Sequence, residues 1–475
     1  MKFITKNSGL STNNFILLYG LANLVNANWL IQIIQPHQSG TARQNCTAAI
    51  AKFIVCYEFS RIVCCKFSML SISIPEHSDA NKMTARSPKL HLWIPALFQS
   101  KGGIQVYSAF LLAALQAVAA NSQREVFLKH DEFSEVLLHQ SNTRFRCFGR
   151  YPTWLRTSAF AFDLLRSGWV QRPDLIITTH VNFAVIAAAL KQWRGTPYWV
   201  VAHGIDVWNP QGGVPQRNRR LQQLALRRAD RILAVSGYTR DRLLREQALD
   251  PRRVVLLPNT FDADRFKIAP KPDYLLRRYQ LAANQPVILT VARLESIDRQ
   301  KGYDQILQVL PRIRQQIPNV HYLLVGTGSD RVRIEQMIDR LQLRSSVTLT
   351  GFVPEAELGD HYNLCDLFAM PSQQEGFGIV YLEALACGKP TVGGDRDGAI
   401  DALADGELGV LVDPTDIPTI ACTLTQILQG SYVHPLLYQP EMLRQQAIDR
   451  FGFAQFQRQL AELLLEVNWP DSVAW

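Results

Sequence analysis

From Leu90 onward, short runs of apolar residues alternate with stretches of helical period. LHLWIPAL (Leu90 to Leu97), EVFLKH, DLIITTH, YWVVAHG, RILAVS and VVLLPN read as strands, and segments such as VYSAFLLAALQAVAA read as helices between them. After a polar connector at Ala269–Pro272 the rhythm restarts with VILTVAR, HYLLVGTG, VTLTGFV, LFAMPS and PTVGG. Its helices include YDQILQVLPRIRQQ, which Pro311 is expected to kink or divide, and SDRVRIEQMIDRLQL. Continuous apolar strands alternating with helices predict parallel sheets covered on both faces. The expected fold is α/β, two doubly wound, Rossmann-like domains (86–268 and 269–440) facing across a cleft beyond their strand C-termini. Residues 441–475 are expected to be helices that return to the first domain.

Residues 1–85 lack this rhythm. Phe15 to Ile34, FILLYGLANLVNANWLIQII, carries no charge and has the length of a membrane span, but three Asn and one Gln weaken that reading. The preferred expectation is a poorly packed, non-native extension, with the chain proper starting at Met83. A membrane-associated segment and an ordered accessory element remain as alternatives.

Composition narrows the class. Of 475 residues, 47% are hydrophobic and 19% charged, which suits a folded chain of two domains rather than a disordered one. A net charge of +9 favours anionic partners without choosing among nucleotide phosphates, acidic lipids and nucleic acid. The eight cysteines form no Cys-x-x-Cys pair and no zinc spacing, which reads as reduced and cytosolic. No nucleic-acid motif accompanies the charge.

The strongest chemical signal is PSQQEGFGIVYLEALACGKP, Pro371 to Pro390. Glu375 lies in a loop after a strand, and Gly376 and Gly378 permit close approach of a ligand to backbone. A helix expected to begin near Phe377 offers free N–H groups and a positive dipole end to an anion. Glu383, eight residues after Glu375, is expected about two turns into that helix, where a carboxylate among Leu and Ala needs a partner. Taken singly, the two acids could be a solvated loop residue and an exposed helix residue. Arg293 follows one strand and Lys301 opens the next helix, a placement suited to neutralising a diphosphate. Either alone could equally be a solvated surface cation.

Gly326-Thr327-Gly328 is a tight strand-to-helix turn. It fails as a dinucleotide fingerprint because Arg331 holds the third glycine position. Lys101-Gly102-Gly103 forms a second candidate phosphate loop, with a plain turn as the alternative. His203, at the end of YWVVAHG, is a candidate site residue, as more weakly are Asp206, Asn259 and Asp262. The acids of GGDRDGAIDAL, Gly393 to Leu403, either tune ligand choice or form a solvated turn.

The Pro371–Pro390 string resembles the E-x7-E element of retaining GT-B glycosyltransferases of family 4, and the resemblance covers about Lys89 to Val467. It implies that Glu375 contacts the donor sugar, that Glu383 binds the nucleotide ribose, and that Arg293 and Lys301 clamp the diphosphate. It also implies that Gly102 and Gly103 close over the donor, that Gly328 lies near the nucleotide, and that His203 meets the sugar. Gly376, Phe377 and Gly378 complete the donor loop. The implied activity is metal-independent, cofactor-free transfer of a hexose, with retained configuration, from a UDP- or GDP-linked donor. The hydroxyl acceptor would be a glycan or lipid-linked molecule, in polysaccharide, glycolipid or glycoconjugate synthesis. A nucleotide-sugar epimerase of the same architecture is the enzyme alternative, separable by product analysis with and without acceptor. A non-catalytic nucleotide-sugar-binding protein is the other, and it would bind donor without turnover. The basic stretch Arg217 to Arg228 suits peripheral contact with the inner face of the plasma membrane by a cytoplasmic protein, although a solvated helix face is the plainer reading.

Overall fold

Seven strands line up side by side in the first sheet: β1 (Lys89–Ile94), β2 (Gln123–Leu128), β3 (Thr143–Cys147), β4 (Leu175–Thr178), β5 (Tyr198–Ala202), β6 (Arg231–Ala234) and β7 (Val254–Leu256). Their order is β3-β2-β1-β4-β5-β6-β7, and every pairing is parallel. A second all-parallel sheet holds β8 (Val287–Val291), β9 (His321–Val325), β10 (Val347–Gly351), β11 (Leu367–Met370), β12 (Thr391–Gly394) and β13 (Val410–Val412), in the order β10-β9-β8-β11-β12-β13. This is a computed structural model, and it describes residues 86–98, 102–132, 142–204, 206–208, 216–467 and 469. The expectations for residues 1–85, including the Phe15–Ile34 span, and for Lys101 lie outside the described residues. From Ser87 onward the described chain belongs to one compact unit.

The strands form where the sequence is apolar on both faces. β4 (LIIT) and β5 (YWVVA) are buried at every position, as central strands covered by helices on each side must be. Two strands escaped the pattern reading. β3, TRFRC, is a charged edge strand, and β13 has only three residues. Around the first sheet lie α1 (Gly103–Val118), α2 (Thr153–Gln171), α3 (Val181–Arg194), α4 (Gln216–Arg228) and α5 (Gly237–Glu246). α6 (Asp273–Tyr279) leads into the second domain. There, α7 (Tyr303–Gln316), α8 (Arg331–Arg340), α9 (Glu355–Leu364), α10 (Ile379–Ala386), α11 (Ala399–Ala402) and α12 (Ile417–Leu428) surround the second sheet.

α7 continues as one helix on both sides of Pro311, and its apolar face is not divided. Ile306, Leu307, Leu310 and Ile313 are all buried against the sheet. The burial on both sides of the proline holds the helix across the missing N–H.

The chain ends in two helices, α13 (Pro440–Phe451) and α14 (Phe453–Leu465), separated by the extended Gly452. α13 lies against α10 of the second domain, whereas α14 lies on α1 of the first. There the Phe456 ring meets Tyr107 edge to face at 5.6 Å, and Phe453 meets Phe110 at 5.7 Å. One hydrophobic cluster therefore runs from the first sheet through these helices to α10. In each sheet the strand order reverses beside the first strand, between β1 and β4 and between β8 and β11. Crevices at such reversals are where open α/β sheets bind ligands.

Candidate functional site

The reversal point of the second sheet brings together two segments far apart in sequence. The loop after β8 carries Lys301, and the loop after β11 carries Glu375. Gly302, at φ +88°, seats the first loop against Pro371: a Cβ there would lie 2.5 Å from the Pro371 carbonyl oxygen. Gln373 N donates to Gln300 O at 2.9 Å, which zips the loops together. At their junction the Lys301 ammonium donates to the Glu375 carboxylate, and both side chains are about five-sixths buried, at 15% and 16% exposure.

Glu375 is itself held on all sides. Its other carboxylate oxygen accepts from Gly376 N at 3.1 Å. Its backbone N–H donates to Asp397 Oδ2 at 2.7 Å, and its carbonyl accepts from Gly398 N at 2.9 Å. Asp397 is fully buried and also receives Ser372 Oγ at 2.7 Å and Ala399 N, on Oδ1, at 2.9 Å. Burial pushes its carboxyl up to about 6 against these hydrogen bonds, which favour the anion. Both its oxygens accept, so the Asp395-Arg396-Asp397 stretch builds the loop. Among the described residues, no group of three His, Cys, Asp or Glu could hold a metal ion.

Arg293 stands further out. Its guanidinium pairs with the buried Asp298 at 3.1 Å while 66% of its side chain stays exposed. Gly326 and Gly328 support this stretch from below. Cβ atoms on them would meet Ala292 O at 1.8 Å and the Leu294 backbone at 2.2 Å, so only glycine lets the two turns pack. Gly328 thus shapes the loop that bears Arg293. Glu383 has a different partner from the Lys301–Glu375 pair. α10 starts at Ile379, two residues later than expected, and Glu383 turns toward α9, where Tyr362 Oη donates to its Oε2 at 2.7 Å. Burial pushes its carboxyl up to about 7, opposed by Tyr362 and by Arg265. The Phe377 ring is buried against Phe451, which leaves only its backbone to face a ligand.

The first domain closes on this loop. His203, at the tip of β5, offers its carbonyl to Gly376, where a Cβ would lie only 1.8 Å from the oxygen. Thr239 Oγ1 donates to Gly376 O at 3.3 Å. From the other side, Asp401 accepts from Gly237 N at 2.6 Å and Tyr238 N at 3.0 Å, so a carboxylate of the second domain caps α5 of the first. The His203 ring donates from Nε2 to Thr179 O at 3.2 Å, which leaves Nδ1 as an acceptor. Burial, and then His180, hold its pKa down to about 3, so it is neutral at pH 7.

The other candidates take local parts. Gly102 precedes α1 in extended backbone, and a Cβ on Gly103 would meet nothing within 4 Å. Asp206 Oδ1 accepts from His203 N at 3.0 Å, and Asp262 accepts from Asp264 N and Arg265 N as a turn. Sequence reasoning missed His180 and Lys129. Both end apolar strand runs, DLIITTH and EVFLKH, as His203 ends YWVVAHG, and that shared pattern was the available signal. It also missed that Asp397 and Asp401 organise the loop and the closure.

Comparison with known proteins bears on the family and the fold. The family model described as Glycosyltransferase Family 4 matches residues 101–265, and that described as Glycosyl transferases group 1 matches residues 275–449. The GDP-mannose-dependent alpha-(1-6)-phosphatidylinositol monomannoside mannosyltransferase of Mycolicibacterium smegmatis is 37% identical over 219 residues, 43% of this chain and 55% of that protein. The corresponding Mycobacterium tuberculosis enzyme is 31% identical over 42% of this chain and 52% of its own length. The chain thus spans about half the length of these relatives. Among solved structures, Anabaena Alr3699/HepE in complex with UDP matches with a TM-score of 0.65 at 23% identity, over 80% of this chain and 99% of that one. Sucrose-phosphate synthase from Thermosynechococcus elongatus matches with a TM-score of 0.66 at 22% identity, over 80% and 98%. These two establish the GT-B fold.

Proposed function

The chain belongs to the family 4 glycosyltransferases of GT-B fold, and on that premise we propose that it moves a hexose from a nucleotide diphosphate sugar to a hydroxyl acceptor with retained configuration. The observation that carries this reading is the buried Lys301–Glu375 pair at the β8–β11 reversal, on a loop the first domain touches through His203. A diphosphate entering there meets Lys301 and the exposed Arg293, while the sugar lies toward Glu375, the Gly376 backbone and His203. Glu383, with Tyr362 beside it, supplies an acceptor for the ribose hydroxyls. The mannosyltransferase relatives are named for GDP-mannose and the structural neighbour is bound to UDP, so a GDP- or UDP-linked hexose is the donor class.

In the proposed step the bond from the anomeric carbon to the diphosphate oxygen breaks and the bond to the acceptor oxygen forms on the same face. The acceptor proton passes to the departing phosphate oxygen. Lys301 and Arg293 stabilise the charge that grows on the leaving diphosphate, so they do the electrostatic work without a divalent ion. Glu375 faces the positive charge that develops at the sugar ring. The neutral His203 accepts a sugar hydroxyl at Nδ1 and orients the ring. A cytoplasmic setting, with the acceptor a glycan or a lipid-linked molecule met at the inner membrane face, completes the proposal. Among the described residues no helix is long and apolar enough to cross a membrane.

The test is nucleotide release from a panel of UDP- and GDP-hexoses. Glu375→Ala is expected to lower turnover by at least about a hundredfold, and Arg293→Ala/Lys301→Ala by as much or more. Wild-type rates in both would remove the reading. Donor binding without any turnover in the unmodified chain would instead support a silent binding protein.

A further inference from the structure

A second set of polar side chains gathers at the C-terminal edge of the first sheet, and the chemistry above leaves most of it unused. Backbone hydrogen bonds fix its place. Lys129 N donates to Ile94 O at 3.2 Å and His130 N to Pro95 O at 2.9 Å, while Thr179 N donates to Trp93 O at 3.0 Å. Lys129 therefore tops β2 and His180 tops β4, with β1 between them, at the reversal point of this sheet. His203 follows on β5, joined through its bond to Thr179 O.

Among the described residues the side chains here are mainly cationic, with the buried Asp131 carboxylate acting on His130. The Lys129 side chain is half-buried, and no carboxylate of the described residues pairs with its ammonium. Its pKa is held below the ordinary lysine value by burial and then by Arg156. Arg156 spends its N–H groups on Gly149 O at 2.7 Å, Tyr151 O at 3.2 Å and His130 Nδ1 at 3.4 Å, none of which carries a negative charge. Asp131, two residues from Lys129, uses its oxygens on Leu97 N at 2.5 Å and Phe98 N at 2.9 Å. The field of Lys129 reaches His180, whose pKa burial, and then Lys129, bring down to about 4. A half-buried ammonium that feels a guanidinium, with no carboxylate of the described residues paired to either, costs folding free energy, and such sites persist where a ligand brings the missing charge.

Building on the transferase reading, we infer that the acceptor carries an oxyanion, a phosphate ester or a carboxylate, which Lys129 and Arg156 seat at the β1–β4 junction. The series Lys129, His180, His203 then leads from that anchor to the Gly376 loop, which sets the distance between the acceptor's charge and its reacting hydroxyl. Specificity on this side of the cleft comes from the anion, because a neutral acceptor leaves the cation pair uncompensated.

Calorimetric titration of the full chain, saturated with UDP or GDP to fill the donor site, tests this at fixed ionic strength. The probes are phenyl phosphate, benzoate and, as the neutral control, benzyl alcohol. The unmodified chain is expected to bind at least one of the two anions and not the alcohol. Lys129→Gln should weaken that anion by about tenfold or more, the scale of one hydrogen bond between charged groups. Lys129→Met should melt at the same or a higher temperature, because it removes an uncompensated charge. Equal anion affinity in Lys129→Gln, no anion binding in the unmodified chain, or a several-degree loss of melting temperature in Lys129→Met would each overturn the inference. The preliminary nucleotide titration reports on the donor site separately, so a failure there is told apart from a failure here.

Discussion

Asp397→Asn isolates the support of Glu375 from Glu375 itself. The wild-type carboxylate takes Glu375 N and Ser372 Oγ on one oxygen and Ala399 N on the other, at 2.7, 2.7 and 2.9 Å, in a fully buried position. Asparagine keeps one acceptor oxygen and turns an amide NH2 toward a donor. In its better orientation it still serves Glu375 and Ser372 but leaves Ala399 N facing another donor. Losing one hydrogen bond to a charged acceptor and leaving its buried partner unsatisfied costs about 2–3 kcal/mol. If the loop yields rather than the domain, that energy becomes a shift away from the competent loop position, and turnover falls by about 30- to 150-fold at ~1.4 kcal/mol per factor of ten. Asp397→Ala strands all three donors and should cost more than Asn. The assay is single-turnover nucleotide release, paired with circular dichroism to show that the domain stays folded. The unmodified enzyme should also lose rate as pH falls through about 6, where Asp397 takes a proton and its N–H partners lose their acceptor, and Asp397→Asn should lack that acid limb. The stability term has the opposite sense. Because burial raises the folded-state value above 3.8, this carboxyl favours folding fully below that pH, and the contribution is lost as pH rises to about 6. Turnover of Asp397→Asn within twofold of wild type, with the acid limb intact, would refute the support role.

Two further outcomes follow from the same geometry. Gly376→Ala places a methyl 1.8 Å from His203 O, about 1.6 Å inside ordinary contact at 3.4 Å, so the domains cannot close as they do. Transfer should fall by about a hundredfold, the cost of an ångström-scale misplacement, while nucleotide affinity measured by calorimetry changes little. Glu383 is raised to about 7 by burial, so donor affinity should weaken as pH drops from 8 to 6, and Glu383→Gln should flatten that dependence in equilibrium titration.

Much of this architecture could be read from residue pattern, because central strands buried on both faces must be apolar throughout. The edge strand β3, TRFRC, has no such obligation, and β13 is too short to show a pattern. The Glu375 and Lys301 segments could be picked out because glycine spacing and charge placement are local features. That they serve one donor was implied only by the family resemblance, and the adjacency of β8 and β11 came from the structure. The roles of Asp397 and Asp401 were not legible, since a carboxylate that caps backbone N–H groups looks in sequence like any solvated turn acid. Lys129 was hidden for the converse reason. A lysine after an apolar strand is usually solvated, and only the folded neighbourhood shows that no carboxylate of the described residues meets it. The Tyr362 partner of Glu383 was not legible either, because it comes from a helix twenty-one residues earlier in the chain.

The return of the chain at Gly452 has a mechanical consequence. Among the described residues the polypeptide crosses between the two sheets twice, once in the segment after β7 and once at Gly452, and Phe261 and Gly452 pair as an isolated bridge, so the crossings run side by side. Arg444 of α13 fastens them further by donating to Ala263 O at 2.6 Å. Two adjacent covalent strands restrain sliding and twisting but leave rotation about their shared line. Any parting of the lobes is thus a swing about this pivot, and the Gly376 backbone, pressed against His203, lies close to it, since the neighbouring Phe377 ring packs on Phe451 beside Gly452.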